Sequence, residues 1–534
     1  MLHKTGRFHY TPFPNNYTNT PSMSQYYLGL DSSTQSLKAL VIDTDTGTIH
    51  SSATVHFGSD LPQYASPDGV LANPDSTIKH ANPLMWLEAL DLVLRKLSDA
   101  NNAKTMAQIK GIGGSGQQHG SVYLNAQAAT VFAKLDPTQT LAAQFADTLS
   151  RKTSPIWMDS SSTEECREIA TAIGARLQAD TGSPAIERFT GPQIRRFYKT
   201  EPAAYANTKR IHLVSSFVAS VLIGGDAPID RGDGAGMNLL NLRTGTWDPA
   251  IAEATAPSLL SRLPHVGFTG QPAGKLASYF GKYGLTPGIP VAQWTGDNPA
   301  SLIGMGAHRP GKGVISLGTS DTFFAALSDF RTDPNGCGHV FGNPSGGNMS
   351  LACFKNGSLA RDRIRTELDA SWEYFDIGAF NETTPGNEGR LALPWFETEI
   401  TPSGRSTGLR SNFDFTNAPK AVRIRAVIEG QVLALAAHSE WIGHFNTLRV
   451  TGGASRSQGI LQTLADVFQV SVEAIAITDS AALGAAMIAA HDTGGHDFDT
   501  LAKQFCPTVK TLAPRIEYAT TYQSLLPKLR ELEG

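Results

Sequence analysis

The sequence predicts a mixed α/β fold of two related domains, and three observations carry that expectation. A strand-turn-strand unit occurs twice: Leu28-Gly-Leu-Asp-Ser-Ser-Thr34 leads into Leu37-Lys-Ala-Leu-Val-Ile42, and Ile315-Ser-Leu-Gly-Thr-Ser-Asp321 leads into Phe323-Phe-Ala-Ala-Leu327. Strand-like and helix-like signals alternate along both halves. The chain is also long enough, at 534 residues, for two domains that each bury a core.

The first half opens with a hairpin over Tyr26 to Asp43, followed by a helix over Pro83 to Ser98. A strand Ile109-Lys-Gly-Ile112 runs into a loop, Gly113-Gly-Ser-Gly-Gln-Gln-His-Gly120. Ile156-Trp-Met-Asp159, an amphipathic helix over Ser162 to Ala179 and the apolar segment Ile211 to Ile223 come next. Val291 to Gly306 reads as a closing strand and the entry to a linking helix, after which a hairpin begins at Gly313. Ile424, Val427, Ile428, Val432 and Leu435 recur at mostly three- and four-residue spacings, which defines one apolar helix face. Strand Leu448 to Thr451, the pair Gly452-Gly453 and a helix carrying Ile460, Leu461, Leu464, Val467 and Phe468 follow. Segments 328–350 and 376–416 are rich in Pro, Gly, Asn and Thr without periodicity and are expected to be surface loops.

Composition narrows the function. The residues are 41% hydrophobic and 17% charged with a net charge of −4, so nothing asks for nucleic acid or an acidic membrane as partner. Cys166, Cys337, Cys353 and Cys506 lie far apart without metal or disulfide spacing, which fits a reducing, cytoplasmic setting. The longest apolar run, Ala481 to Ala490, is too short to span a bilayer and reads as a buried helix. Residues 1–24 lack an apolar signal segment and are expected to be a disordered leader.

Each chemical motif has a plain reading beside the functional one. Turns of Gly, Ser, Thr and Asp serve ordinary hairpins, but their backbone N–H groups and hydroxyls also suit phosphate oxygens, and two such turns suggest a nucleotide held between halves. Strand, Gly452-Gly453, helix lets a ligand reach the backbone and the free N–H groups of a helix start. Gln117-Gln118-His119-Gly120 follows a strand, where a polar cluster can line a crevice, although a lone His is more often structural. Glu187-Arg188-Phe189 reads equally as a helix end, and Asp297-Asn298 equally as a helix cap. Together these side chains would offer a polyol many donors and acceptors, and Asp297 would be a base for a sugar hydroxyl attacking a phosphoryl group.

Segments YLGLDSSTQSLKALVID, GGSGQQHGS, PIWMDSSST, ERFTGPQI, PIDRGDGAGMNLL, TGDNPASLIGM, SLGTSDT and TGGASRSQGILQTLADVF together resemble the FGGY family of carbohydrate kinases and, within it, the eukaryotic-type xylulose kinases. The likeness extends from about Tyr26 to about Ala490. It implies two actin-like, ribonuclease-H-like ATPase domains around a central cleft: 25–305 for the sugar and the catalytic base, 306–495 for the nucleotide, and a C-terminal extension over 496–534. It also implies ATP-dependent phosphorylation of D-xylulose to D-xylulose 5-phosphate by a monomer or homodimer. Asp297 would be the catalytic base. Gln118, His119, Arg188, Asp297 and Asn298 would contact the ketose. Ser33, Thr34, Thr319, Ser320, Trp372, Gly452, Gly453 and Ser457 would hold the nucleotide, and Asp31 would orient Mg²⁺, through water. After Gly453 the chain has Ala-Ser-Arg-Ser457 where an Asn is expected. The alternatives are a sister kinase of the ribulose, gluconate or glycerol type, and an actin-like ATPase.

Overall fold

A computed structural model describes residues 25–268, 270–405 and 407–534; the expected leader over 1–24 lies outside the described residues. In the first half, β1 (Tyr26–Ser32), β2 (Ser36–Asp43), β3 (Thr48–His56), β4 (Ile109–Gly116), β5 (Gly274–Lys275), β6 (Pro290–Val291) and β7 (Thr295–Gly296) make one sheet in the order β3-β2-β1-β4-β6-β5, with β7 also on β4. In the second, β8 (Lys312–Leu317), β9 (Asp321–Leu327), β10 (His339–Gly342), β11 (Asn348–Phe354), β12 (Thr447–Thr451), β13 (Ser471–Ile475) and β14 (Thr508–Leu512) lie in the order β10-β11-β9-β8-β12-β13-β14.

The two sheets share a topology. β1 pairs antiparallel with β2 and parallel with β4, just as β8 pairs antiparallel with β9 and parallel with β12. β3 extends the first hairpin and β11 the second, both antiparallel. The repeated strand-turn-strand units are therefore the matching hairpins of two duplicated sheets.

Helix α1 (Pro83–Ala100) starts on an Asn82 cap and buries Trp86, Leu90, Val93 and Leu94 in the first core. The other helices that shape the site are α2 (Thr190–Thr200), α3 (Arg231–Gly234), α4 (Asp297–Gly304), α5 (Ser358–Glu367), α6 (Lys420–Ala437), α7 (Gln458–Phe468) and α8 (Ser480–Gly494). α6 carries the periodic face as expected, with Ile424, Val427 and Ile428 packed among Val314, Phe323 and Leu448.

Four expectations about the elements change. β4 does not stop at Ile112; it continues through Gly113 to Gly116, because a Cβ on Gly113 would fall 2.1 Å from the Ala485 carbonyl of α8, and only a side-chain-free strand admits that helix. Ile156 to Asp159 is a turn following the two-residue strand Ser154–Pro155. The helix expected over Ser162 to Ala179 is two, Thr163–Ile173 and Arg176–Thr181, divided at Gly174 with φ +69°. Segments 328–350 and 376–416 are not merely surface loops: the first contains β10, and the second a strand Ala392–Trp395 whose Leu393 and Trp395 pack against Leu433, Tyr522, Leu525 and Leu529. Strands this short show no period of their own, and the C-terminal segment supplies their cover.

α8 is apolar on every side, and such a helix is stable only when it is surrounded. Ala482, Leu483, Ala486, Met487 and Ala490 pack with Tyr27, Leu40 and Ile42 of the first sheet and with Ile303 of α4. A helix from the second half of the sequence thus lies against the first sheet. Its crossing with α4 is backbone-close: a Cβ on Gly484 would sit 1.8 Å from the Ala300 carbonyl. Ser480 Oγ also donates to Ser301 Oγ at 3.1 Å. Among the described residues no helix is long and apolar enough to cross a membrane.

Candidate active site

Three strands of the first sheet end at one level. Asp31 of β1 pairs with Ser115 of β4, which pairs with Thr295 of β7, so the residues just past these positions converge at the carboxyl edge of the sheet. Asp297 is the first residue of α4, with Gly296 at the N-cap, and its Oδ1 accepts from Asn298 N at 2.8 Å and Asn298 Nδ2 at 3.1 Å. The same Nδ2 donates to Gln118 Oε1 at 2.9 Å, while Gln118 Nε2 is buried with no hydrogen-bond partner among the described residues. Removal from water, and then the negative charge of Asp31, push the Asp297 carboxyl up to about 7, against the pull of the N–H groups around it. Asp31 itself accepts from Ser115 Oγ at 2.7 Å, and burial lifts it to about 6.

His119 adopts φ +70° and stacks on Phe189, ring centroids 4.3 Å apart. Its Nδ1 lies 2.8 Å from the Gly236 carbonyl, which can only accept, so Nδ1 carries the proton and Nε2 is an acceptor. Burial, helped by the Arg188 charge, drops its pKa to about 3, and the ring is neutral. Arg188, one residue before Phe189, donates through Nη2 to His339 Nε2 at 2.9 Å. Burial also lowers the Arg188 pKa.

Two further carboxylates lie near. Asp230 caps α3 by accepting from Gly232 N and Asp233 N, both at 2.8 Å, and burial raises it to about 6. Asp233 is fully buried and accepts from Ser215 Oγ; burial holds its pKa well above the carboxylate range, and the neighbouring charges of Asp230 and Asp297 add to that. Neither was singled out in the sequence, although both stand in the PIDRGDGAG segment.

Of the residues expected to hold the nucleotide, Ser33 and Thr34 lie in the hairpin turn of the first sheet, where Ser33 Oγ donates to the Ser36 carbonyl at 2.9 Å and Thr34 Oγ1 accepts from Trp157 Nε1 at 2.8 Å. The second turn is held from beneath. Ser358 N and Oγ reach the Gly318 carbonyl at 2.8 and 2.5 Å, and Arg361 grips Asp321 with two bonds of 2.6 and 2.8 Å, which leaves Thr319 exposed and Ser320 half-buried above. Gly452 has φ +92°, and a Cβ there would strike the Leu317 carbonyl at 2.4 Å; Gly453 faces open space. A cavity of about 440 Å³ joins Gly453, Ala454 and Ile460 to Trp372, Phe375 and Arg361. Trp372 is 51% exposed, edge-on to Phe375, with the Arg365 guanidinium 4.7 Å above its ring. Ser457 is buried at the N-cap of α7, accepting from Ile460 N at 3.3 Å, and the exposed Arg456 is the side chain that lines this cavity.

The structure thus brings Asp31, Gln118, His119, Arg188, Asp297 and Asn298 to the first domain's edge, and Trp372 and Gly453 to one cavity of the second. The N-terminal-domain model of the FGGY family of carbohydrate kinases matches residues 153–304, and the C-terminal-domain model matches 313–493. The chain belongs to the FGGY family of carbohydrate kinases. It is an ATP-dependent sugar kinase built on two ribonuclease-H-like domains. The chain is 41% identical over 489 residues to xylulose kinase 2 of Arabidopsis thaliana, covering 87% of each protein. It is 39% identical over 521 residues to the xylulose kinase of Rattus norvegicus, covering 95% of this chain and 96% of that one. Among solved structures, a xylulose kinase from Brucella ovis superposes with a TM-score of 0.81 at 24% identity, over 95% of this chain and 98% of that one. A gluconate kinase from Lactobacillus acidophilus does so with a TM-score of 0.80 at 19% identity, over 95% and 97%. One fold thus serves kinases named for different sugars, and the sugar is a property of the site.

Proposed function

We propose that this FGGY kinase phosphorylates D-xylulose to D-xylulose 5-phosphate, with Asp297 as general base. The observation that carries the reading is the Asp297 carboxylate, held at a helix start in the cleft with its pKa near 7, among neutral His119, cationic Arg188 and the amides of Gln118 and Asn298. A base of that pKa is ionised for a substantial fraction at neutral pH, yet is a far better proton acceptor than an ordinary carboxylate. The choice of xylulose among sugars rests on the names of the relatives that match nearly the whole chain.

The ketose would lie with its terminal hydroxyl at Asp297 and its other oxygens toward His119 Nε2, Arg188 and Asn298. The adenosine of ATP would occupy the cavity between Trp372 and Gly453, where the absent glycine side chain lets the nucleotide approach the backbone. Thr319 and Ser320 on one turn, with Ser33 and Thr34 on the other, would border the phosphates. Asp31 accepts from Ser115 through one oxygen, and a carboxylate is a donor suited to a hard cation. Among the described residues no group of three or more His, Cys, Asp or Glu is arranged to hold a metal. Mg²⁺ would therefore rest on Asp31, directly or through water, and would supply charge neutralisation for the phosphates.

The deciding experiment is ADP release measured across a panel of ketoses and polyols. Xylulose should give the highest kcat/KM, and ATP consumption without sugar should be near background. Preference for ribulose, gluconate or glycerol would replace the substrate, and sugar-independent turnover would favour an actin-like ATPase. The two halves of the site should separate in the same assay: Arg188→Ala should raise KM for the sugar at least 10-fold with little change for ATP, and Trp372→Ala the reverse. Equal changes in both constants for either variant would remove its assignment.

A further inference from the structure

His339 begins β10, the edge strand of the second sheet, yet its side chain serves the first domain. It is 2% exposed, and both ring nitrogens are engaged. A guanidinium only donates, so the 2.9 Å contact makes Nε2 the acceptor from Arg188. The proton then lies on Nδ1, 3.2 Å from Ser183 Oγ. Phe189 packs against His119 at 4.3 Å and His339 at 5.3 Å, so the two histidines and the residue following Arg188 form one aromatic unit.

The seam around His339 is hydrogen-bonded as well as packed. Val340 N donates to the Gly182 carbonyl at 3.1 Å, and Gln178 Nε2 donates to the Asp333 carbonyl at 2.6 Å. β10 is thus fastened to the segment that leads into Arg188, and the ring cannot drift from the guanidinium without breaking backbone contacts.

The choice of partner has a chemical consequence. A half-buried arginine is commonly met by a carboxylate, but among the described residues Arg188 forms no ion pair with one, and His339 is its one side-chain hydrogen-bond partner. A carboxylate would hold the guanidinium and cancel its charge. A neutral imidazole fixes one N–H and leaves the charge, with the other N–H groups, for ligand oxygens. Beside His119 and Arg188 a second cation would repel, and burial together with those two neighbours keeps His339 uncharged.

We infer that His339 is a positioning residue for the sugar site, supplied by the nucleotide-side domain, which aims the Arg188 guanidinium into the cleft while preserving its charge. The inference rests on the reading of Arg188 as a sugar contact.

The test uses the full-length enzyme with ATP, Mg²⁺ and whichever sugar gives the highest kcat/KM. His339→Ala should raise KM for the sugar at least 10-fold while KM for ATP stays within two-fold. His339→Gln, whose side-chain carbonyl can accept from Arg188, should recover most of that loss. In an Arg188→Ala background, His339→Ala should add less than two-fold, because the two act through one contact. Thermal melting of each variant separates this from damage to the seam. A His339→Ala enzyme with unchanged sugar KM, or effects additive with Arg188→Ala, would overturn the inference alone. An Arg188→Ala enzyme with unchanged sugar KM would overturn it together with the sugar-side assignment of Arg188. If His339→Ala melts too low to assay, His339→Gln and His339→Asn decide: loss of sugar affinity with both amides in a folded enzyme contradicts the acceptor role.

Discussion

Asp297→Asn is expected to lower kcat by roughly 10²- to 10⁴-fold, the usual contribution of a positioned base, while leaving the fold and ATP binding intact. Asparagine keeps the acceptor oxygen that receives Asn298 N and loses only the ability to take a proton. Wild-type kcat should rise with pH through about 7 and level off above it, since the base works when ionised and burial with the Asp31 charge sets its pKa there. The variant should lose that limb. Its stability should change in the opposite direction. The folded pKa lies above that of the unfolded chain, so ionising Asp297 costs stability progressively as pH rises from about 4 to about 7. Asp297→Asn should therefore melt higher than wild type at pH 8, with the difference vanishing below pH 4. A variant retaining more than about half the wild-type kcat would remove Asp297 from the mechanism.

Gly484→Ala is expected to destabilise strongly even though alanine is the better helix former by about 1 kcal/mol. The added methyl carbon would stand 1.8 Å from the Ala300 carbonyl, a backbone atom of α4 that cannot rotate away. Overpacking ordinarily costs about 1–3 kcal/mol and more where the backbone must shift, so the steric term outweighs the propensity gain. Because α4 begins with Asp297, separating α4 from α8 also moves the base, and kcat should fall along with the melting temperature. Gly225→Ala, where a Cβ meets nothing within 4 Å and φ is not positive, is the control and should change neither. Equal melting of Gly484→Ala and wild type would show that the helix crossing is looser than the geometry implies.

The legible parts of this protein were those whose signal is local. The two hairpins announce themselves through apolar strands flanking Gly, Ser, Thr and Asp, α6 through its three- and four-residue spacing, and the buried nature of α8 through an apolar run with no polar face. Asp297-Asn298 after an apolar strand marked a base or a cap, and the structure puts the carboxylate one position inside the helix that Gly296 caps. What was not legible depended on a partner far along the chain. Glycines in β4 looked like a loop because nothing local reveals that α8 lies across them. β10 and Ala392–Trp395 looked like loops because their pairing and cover come from other segments.

The sequence by itself determined the two hairpins, the apolar face of α6, the apolar run of α8 and the chemical kinds of residue available for binding a nucleotide and a polyol, since these follow from short-range pattern, while the two-domain architecture was implied by the family resemblance. Only the tertiary structure decided what those residues do. The Asp297 pKa depends on burial and on Asp31 from the other end of the first domain, the neutrality of His119 on enclosure beside Arg188, and the aim of Arg188 on His339 from the second sheet. Charge states and orientations in a cleft are set by groups that folding brings within a few ångströms, and no window of adjacent residues contains that information.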